Sequence, residues 1–209
     1  YLGRLNANGT LDTTFNPGTQ SVAAGPNGNV KTILVQEDGK ILIRGNFSTY
    51  NGTARSQLAR INADGSLDAS FDPGIDAYAV ALQADGKILV SSYITTEHPQ
   101  GYGLYRLLSD GTLDNNFTPT PGTSVGVFTD SDIEHIQVQS DGKIVIGGFF
   151  TSVDGSSIPR VARINADGSL DSGFLVDFDS YVSGLTLGAE GSVFVGTEVG
   201  ATAPDVDLL

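Results

Sequence analysis

Four segments of the chain place an arginine eight residues before an aspartate: Arg4 and Asp12, Arg60 and Asp68, Arg106 and Asp114, and Arg163 and Asp171. Between them runs a polar stretch with a glycine, as in Asn62-Ala63-Asp64-Gly65-Ser66-Leu67-Asp68. Oxygen donors at this spacing, around a glycine that permits a sharp turn, are like those of loops that hold Ca²⁺. In all four copies, however, arginine holds the place of the first ligand. A fixed guanidinium repels a divalent cation and can itself neutralise the aspartate. Four structural ion pairs and no metal are therefore expected. When half-buried, such a pair braces its hairpin by more than a surface pair does.

Other chemistry is sparse. The histidines are His98 and His135, and Asp132, Glu134 and His135 adjoin no nucleophile motif, so a solvated loop or strand edge is expected there. Paired carboxylates for glycoside chemistry could be drawn from 24 acids, but many are turn residues: Asp38, Asp64, Asp85, Asp110, Asp141 and Asp167. The sequons at Asn8, Asn46, Asn51 and Asn116 fall in equally turn-rich segments. The candidate binding feature is Tyr93, His98, Tyr102 and Tyr105, clustered where the other repeats carry Gly-Asn or Ser-Thr. Aromatics beside polar groups on a loop stack on sugars or anchor a protein partner; the alternative is that they cover a sheet edge as satellite core.

The whole chain bounds these options. Its 209 residues carry 11 Lys and Arg against 24 Asp and Glu, a net charge of −13, which argues against nucleic-acid and membrane-surface partners. Seven of the 11 cations are tied to repeat positions, and only Lys31, Arg44, Arg55 and Arg160 remain, too scattered for a phosphate patch. With no Cys there is neither disulfide nor thiol chemistry, and no apolar run is long enough to cross a bilayer as a helix. The chain opens at Tyr1 directly on a repeat motif, so an upstream segment or processing is expected and no signal peptide is read. Aspartate outnumbers glutamate 19 to 5, with 27 Gly and 8 Pro. Asp favours turns and Glu favours helix, so the composition points to an all-β chain with many tight turns.

Two motifs alternate along the sequence. The first is Arg4–Phe15, Arg60–Phe71, Arg106–Phe117 and Arg163–Phe174; the second begins at Val35, Leu82 and Val138, as in VQEDGKILIRGNF, with a degraded copy from Leu187. From the second-motif glycine to the first-motif glycine (Gly39 to Gly65, Gly86 to Gly111, Gly142 to Gly168) the spacing is 26, 25 and 26 residues. In the other direction it alternates, which puts variable loops in Asn16–Asp38 and Thr118–Asp141. The unit is about 52 residues in four copies, a repeat architecture.

Each Asn-Gly or Asp-Gly flanked by apolar residues signals a hairpin whose two turn residues take positive φ, giving four strands per unit. The strand after the second-motif turn is apolar at consecutive positions: Ile41–Ile43, Ile88–Val90, Ile144–Ile146 and Val193–Val195. Such strands are buried on both faces, with small residues (Gly45, Ser91, Gly147, Gly196) where sheets crowd. Four-stranded sheets stacked face to face, one per unit, are the blades of a β-propeller. The expected ring closes by pairing Arg4–Phe15 beside Ser192–Val199; otherwise both ends pair with other chain in a larger ring.

The alternation of R-[LI]-N-A-D-G-S-L-D-x-x-F with Q-x-D-G-K-I-[LV]-[VI]-G-G resembles the delta-sixty repeat, a β-propeller repeat of large bacterial surface proteins and phage virion proteins. The resemblance covers nearly the whole chain. It implies a single propeller domain over residues 1–209, part of a longer chain or complete, and an activity that the family leaves unassigned; repetition, acidity and the lack of a recognisable site add the expectation of no enzymatic activity and no cofactor. Its implied role is structural, recognition or adhesion, in an extracellular, cell-surface or virion assembly. Other subunits, a second copy of the chain or a surface glycan are the implied partners, with no nucleic acid and no membrane insertion. The alternative is a glycan-active hydrolase or lyase with acids in the propeller channel.

Overall fold

The computed structural model describes residues 2–15, 24–93, 102–118, 127–174, 176, 178 and 180–197. Among them the chain is all-β, and the single helical segment is one 3-10 turn at Ala189–Gly191. Two compact units divide it: Tyr1–Val90 with Arg106–Leu113, and Ser91–Tyr105 with Asp114–Leu209. The first holds β1 (Asn29–Val35), β2 (Ile41–Asn46), β3 (Thr49–Tyr50), β4 (Thr53–Ala54), β5 (Leu58–Ile61) and β6 (Ala77–Leu82). β7 (Ile88–Tyr93) and β8 (Tyr102–Leu107) each run from one unit into the other. The second holds β9 (Val127–Thr129), β10 (Ile133–Val138), β11 (Ile144–Gly148), β12 (Ser152–Val153), β13 (Ser156–Ser157), β14 (Val161–Ile164), β15 (Val182–Leu187) and β16 (Val193–Thr197).

Equivalent sheets recur in the two units. In the first, β2 lies antiparallel between β1 and β5, with Leu42 opposite Arg60; in the second, β11 lies between β10 and β14, with Val145 opposite Arg163. The central strands are apolar because neither face is wet: Leu42, Ile43, Ile88, Leu89, Val90 and Ile144–Ile146 are fully buried. Ile43, Phe47, Tyr50, Ala59 and Ile61 form a core with Phe15 in the first unit, and Val145, Val161, Val182 and Leu185 form one in the second.

Three of the second-motif hairpins share a bulge, at Val30/Thr32, Ile133/His135 and Val182/Gly184. The bulged strand comes so close to its partner that a Cβ on Gly45 would lie 1.9 Å from the Asn29 carbonyl oxygen, and one on Gly148 would lie 2.1 Å from that of Asp132. Those glycines are demanded by backbone approach.

The long turns differ from expectation. Gln36 N–H donates to the Lys40 carbonyl and Gly39 N–H to the Gln36 carbonyl, so the loop has three residues and ends in a glycine at φ +81°. This is a type I turn followed by a left-handed bulge residue, and only the glycine needs positive φ. The aspartate serves through its side chain: Asp38 Oδ1 accepts from Lys40 N–H at 3.0 Å, as Asp64 does from Ser66 and Asp167 from Ser169. Glu190 replaces aspartate in the degraded copy, and there both Glu190 and Gly191 are left-handed. Two-residue turns with both residues at positive φ do occur, at Asn51-Gly52 and Asp154-Gly155, closing β3–β4 and β12–β13.

Nor does each repeat have four full strands. After β5 and β14 the return leg of the first motif pairs at a single residue, Ile61 with Leu67 and Ile164 with Leu170. It stops because the next residue, Asp68 or Asp171, starts a new turn, accepting the N–H of Ser70 or Gly173. The last apolar strand also departs from the pattern. β16 pairs with β15 in a two-stranded sheet, and Phe194 is 63 % exposed where its counterparts are buried.

Candidate functional site

Arg60 on β5 and Arg163 on β14 sit on the last strand of their sheets, and each points back across the turn, as does Arg4. Arg60 Nε donates to Asp68 Oδ2 at 2.7 Å, Arg163 Nε to Asp171 Oδ2 at 2.9 Å, and Arg4 Nε to Asp12 Oδ2 at 2.9 Å. The guanidinium also lies over the phenylalanine that ends the motif: Arg4 over Phe15, Arg60 over Phe71 and Arg163 over Phe174, with 4.9, 4.5 and 4.4 Å to the ring centroids. This is cation–π geometry. A third bond leaves the motif, as Arg4 Nη1 donates to the Ala63 carbonyl and Arg60 Nη1 to that of Ser109, the same position of the next first-motif turn. Arg106 and Asp114 are each buried.

Lysine completes the clamp. Lys40 Nζ donates to Asp68 Oδ2 at 2.9 Å and Lys143 Nζ to Asp171 Oδ2 at 2.8 Å, tying the second-motif turn to the first. Lys87 Nζ reaches Asp85 at 2.7 Å. The other oxygen of Asp68 accepts from the N–H and hydroxyl of Ser70. Burial raises the Asp68 pKa, but the bonds from Ser70, Lys40 and Arg60 outweigh it and hold the carboxyl well below its ordinary range. Asp12 is lowered to about 2, chiefly by the Thr14 hydroxyl and N–H and then by Arg4; Asp171 is lowered to about 2 by Lys143, with Arg163 adding to it against burial.

Four segments of the chain, residues 1–15, 36–71, 83–117 and 139–174, match the model of the family described as "Domain of unknown function (DUF5122) beta-propeller". Together they cover more than half of the sequence. Three of them begin at the glutamine of the second-motif turn and end at the phenylalanine that closes the first motif. The chain belongs to the DUF5122 β-propeller family. No curated protein matches it. The DUF5122 segment thus runs from one end of the clamp to the other, through Lys40, Arg60, Asp68 and Phe71 in the second match.

The aromatic candidates separate. Tyr93 on β7 is half exposed and its ring lies 4.7 Å from that of Tyr102 on β8, tilted by 55°. Tyr105 is buried, edge-on to Phe128, so as a core residue it offers no surface to a ligand. His98 lies outside the described residues. His135 sits in β10 with its Nε2 buried and without a hydrogen-bond partner among the described residues. Burial and the neighbouring Glu134 charge raise the Asp132 carboxyl, while Glu134 accepts from the Tyr181 hydroxyl at 2.6 Å. Tyr181 in turn stacks on Phe149, with centroids 4.1 Å apart.

Sequence reasoning missed the roles of the lysines and the phenylalanines and the bonds from Arg4 and Arg60 to the following turn. The recurrence of Lys and Phe at fixed places in every intact motif was the available signal. It also set Arg55 aside as a stray cation, yet Arg55 is among the most buried charged residues.

Proposed function

We propose that the chain is a non-enzymatic structural and recognition module of a large extracellular surface or virion assembly, of the tail or fibre kind. In this reading residues 1–209 form a single propeller domain of four blades, closed by the N-terminal strands and akin to delta-sixty repeats. Other subunits, a second copy of the chain and surface glycans are its partners. One observation carries it: the repeated charged groups are engaged with one another. Asp68 accepts from Arg60, Lys40 and both donors of Ser70, which leaves its carboxylate no capacity for proton exchange with a substrate. Antibodies against the chain, applied to fractionated cells and purified particles, test the location; recovery from the cytosolic fraction alone overturns it. An experimental density map counts the blades, and a count other than four overturns that part.

The hydrolase or lyase alternative has the raised Asp132 beside Glu134 in its favour. Incubation with a polysaccharide panel tests it. Release of reducing or unsaturated ends that Asp132→Asn abolishes would replace the proposal.

A further inference from the structure

The first and third repeats, 103 residues apart, share a backbone frame but differ in the side chains set on one part of it. Gly45 N–H donates to the Gln57 carbonyl at 3.0 Å, and Gly148 N–H to that of Arg160 at 3.0 Å. Gln57 and Arg160 are both left-handed, at φ +59° and +67°. On this common frame Asn46 stands where the third repeat has Phe149, Ser56 where it has Pro159, and Gln57 where it has Arg160. Tyr78 and Tyr181 correspond in the same way. In the third repeat two rings fill the place, Phe149 lying flat on Tyr181 with centroids 4.1 Å apart and planes 8° apart. In the first, an amide replaces the phenyl ring and Tyr78 is 38 % exposed. A cleft of about 540 Å³ lies there, lined by Asn46, Ser48, Ser56, Gln57 and Asp76 together with Arg55. All three differences therefore set a neutral polar side chain into the cleft.

We propose that this cleft binds a neutral pyranose sugar, whose ring takes over Tyr78 the place that Phe149 takes over Tyr181 and whose hydroxyls meet Asn46, Gln57 and Asp76. A pyranose presents a face of C–H groups, which packs on an aromatic ring, and a rim of hydroxyls, each both donor and acceptor. The lining matches that rim. The Asn46 and Gln57 amides donate and accept, and Ser48 Oγ accepts from Asn27 Nδ2 at 3.0 Å, which leaves its own O–H to give. The Asp76 carboxylate has no bond partner among the described residues and takes hydroxyl donors. Charge selects against ions. Arg55 is buried with its Nη1 held by the Ala54 carbonyl and Asp72, so a ligand anion meets the Asp76 charge with no exposed lining cation to offset it. A ligand ammonium suits Asp76 but cannot accept from the amide and hydroxyl donors of the rest of the lining. The cleft's volume is within the ordinary range of small-molecule sites. The proposal rests on the glycan-contact part of the function proposed above and names the class of sugar.

Glucose, galactose and mannose are titrated into the full chain, with glucuronate and choline as charged comparisons. The side-chain amide resonances of Asn46 and Gln57 and the tyrosine fluorescence are the readouts. At least one hexose is expected to shift both amides saturably, at lower concentration than glucuronate or choline. Asn46→Phe copies the third repeat and is expected to abolish binding with the fold intact, because the same pair of rings is built on the same frame there. Asp76→Asn keeps the shape of the cleft and is expected to lower hexose affinity about tenfold, the scale of one hydrogen bond to a charged group, and to narrow the gap to glucuronate. It tests the site even if Asn46→Phe fails to fold. No saturable shift with any of the three hexoses, unchanged binding by a folded Asn46→Phe variant, unchanged binding by Asp76→Asn, or glucuronate or choline binding as tightly as the best hexose overturns the proposal. Sugar binding is read on the purified chain and location by fractionation, so failure of one leaves the other interpretable.

Discussion

Lys40 and Asp68, 28 residues apart, meet at 2.9 Å on the same carboxylate oxygen that accepts from Arg60 at 2.7 Å. Two hairpins of one repeat are therefore joined through a single anion. Asp68→Asn leaves two cations facing a neutral amide, one of them with its side chain only 6 % exposed. Removing one partner of a buried pair typically costs about 3 kcal/mol or more, whereas removing a partly exposed lysine costs about 1 kcal/mol or less. Denaturant unfolding of Asp68→Asn and Lys40→Met is expected to show that order. Equal losses would sink the shared-anion account.

The arginine–phenylalanine contact should appear as coupling. In a double-mutant cycle of Arg60→Met and Phe71→Leu, an interaction energy of about 1 kcal/mol is expected from the 4.5 Å cation–π geometry in a buried setting. Additive effects would mean that Phe71 contributes by volume alone.

Acid should loosen the clamps in a defined window. Asp12 and Asp171 are lowered from the ordinary aspartate value of 3.8 to about 2 in the folded chain. Because the folded pKa lies below the unfolded one, the unfolded chain binds more protons between them. The stabilisation is therefore complete above the unfolded pKa and is lost as pH falls through the folded one. The melting temperature is expected to hold steady from neutral pH down to about 5 and to drop steeply between about 4 and 2. A curve flat through that window contradicts the assignment.

Two glycine substitutions should fail for different reasons. At Gly86, with φ at +82° and nothing near a Cβ, alanine meets only the left-handed backbone penalty, about 1 kcal/mol. At Gly45 a Cβ would overlap the Asn29 carbonyl at 1.9 Å, and relieving it by parting β1 from β2 costs about 3 kcal/mol or more. Thermal unfolding of Gly86→Ala and Gly45→Ala distinguishes the two.

The all-β class and the repeat were legible because both rest on local pattern, such as the consecutive apolar residues of Ile144–Ile146. The eight-residue spacing of Arg60 and Asp68 spans one turn, so sequence places them within reach. Lys40 comes from another hairpin, and spacing carries no such information. Turn type was misread because Asp-Gly serves two-residue and three-residue loops alike; the pairing of Gln36 N–H with the Lys40 carbonyl, across three intervening residues, is what separates them. The return leg looked like a strand because Leu67 is apolar, but Asp68 diverts the backbone before a ladder forms. Tyr105 looked like a loop aromatic because its burial depends on strands far away in sequence. The burial of Arg55 was illegible because its sister position is Ile158, so no repeated spacing marks it.

The bonds from Arg4 and Arg60 to the following turn have a consequence for how such chains grow. Arg4 and Arg60 address the same backbone carbonyl position, at Ala63 and at Ser109, and a carbonyl is present whatever the side chain. A duplicated repeat therefore arrives already able to receive the arginine before it and to supply one to the repeat after it. Lengthening or shortening the array by whole units requires no compensating substitution at the junction, while loss of a turn residue within a unit shifts the receiving carbonyl. Selection on these proteins should accordingly tolerate change in copy number more readily than insertions inside the turns.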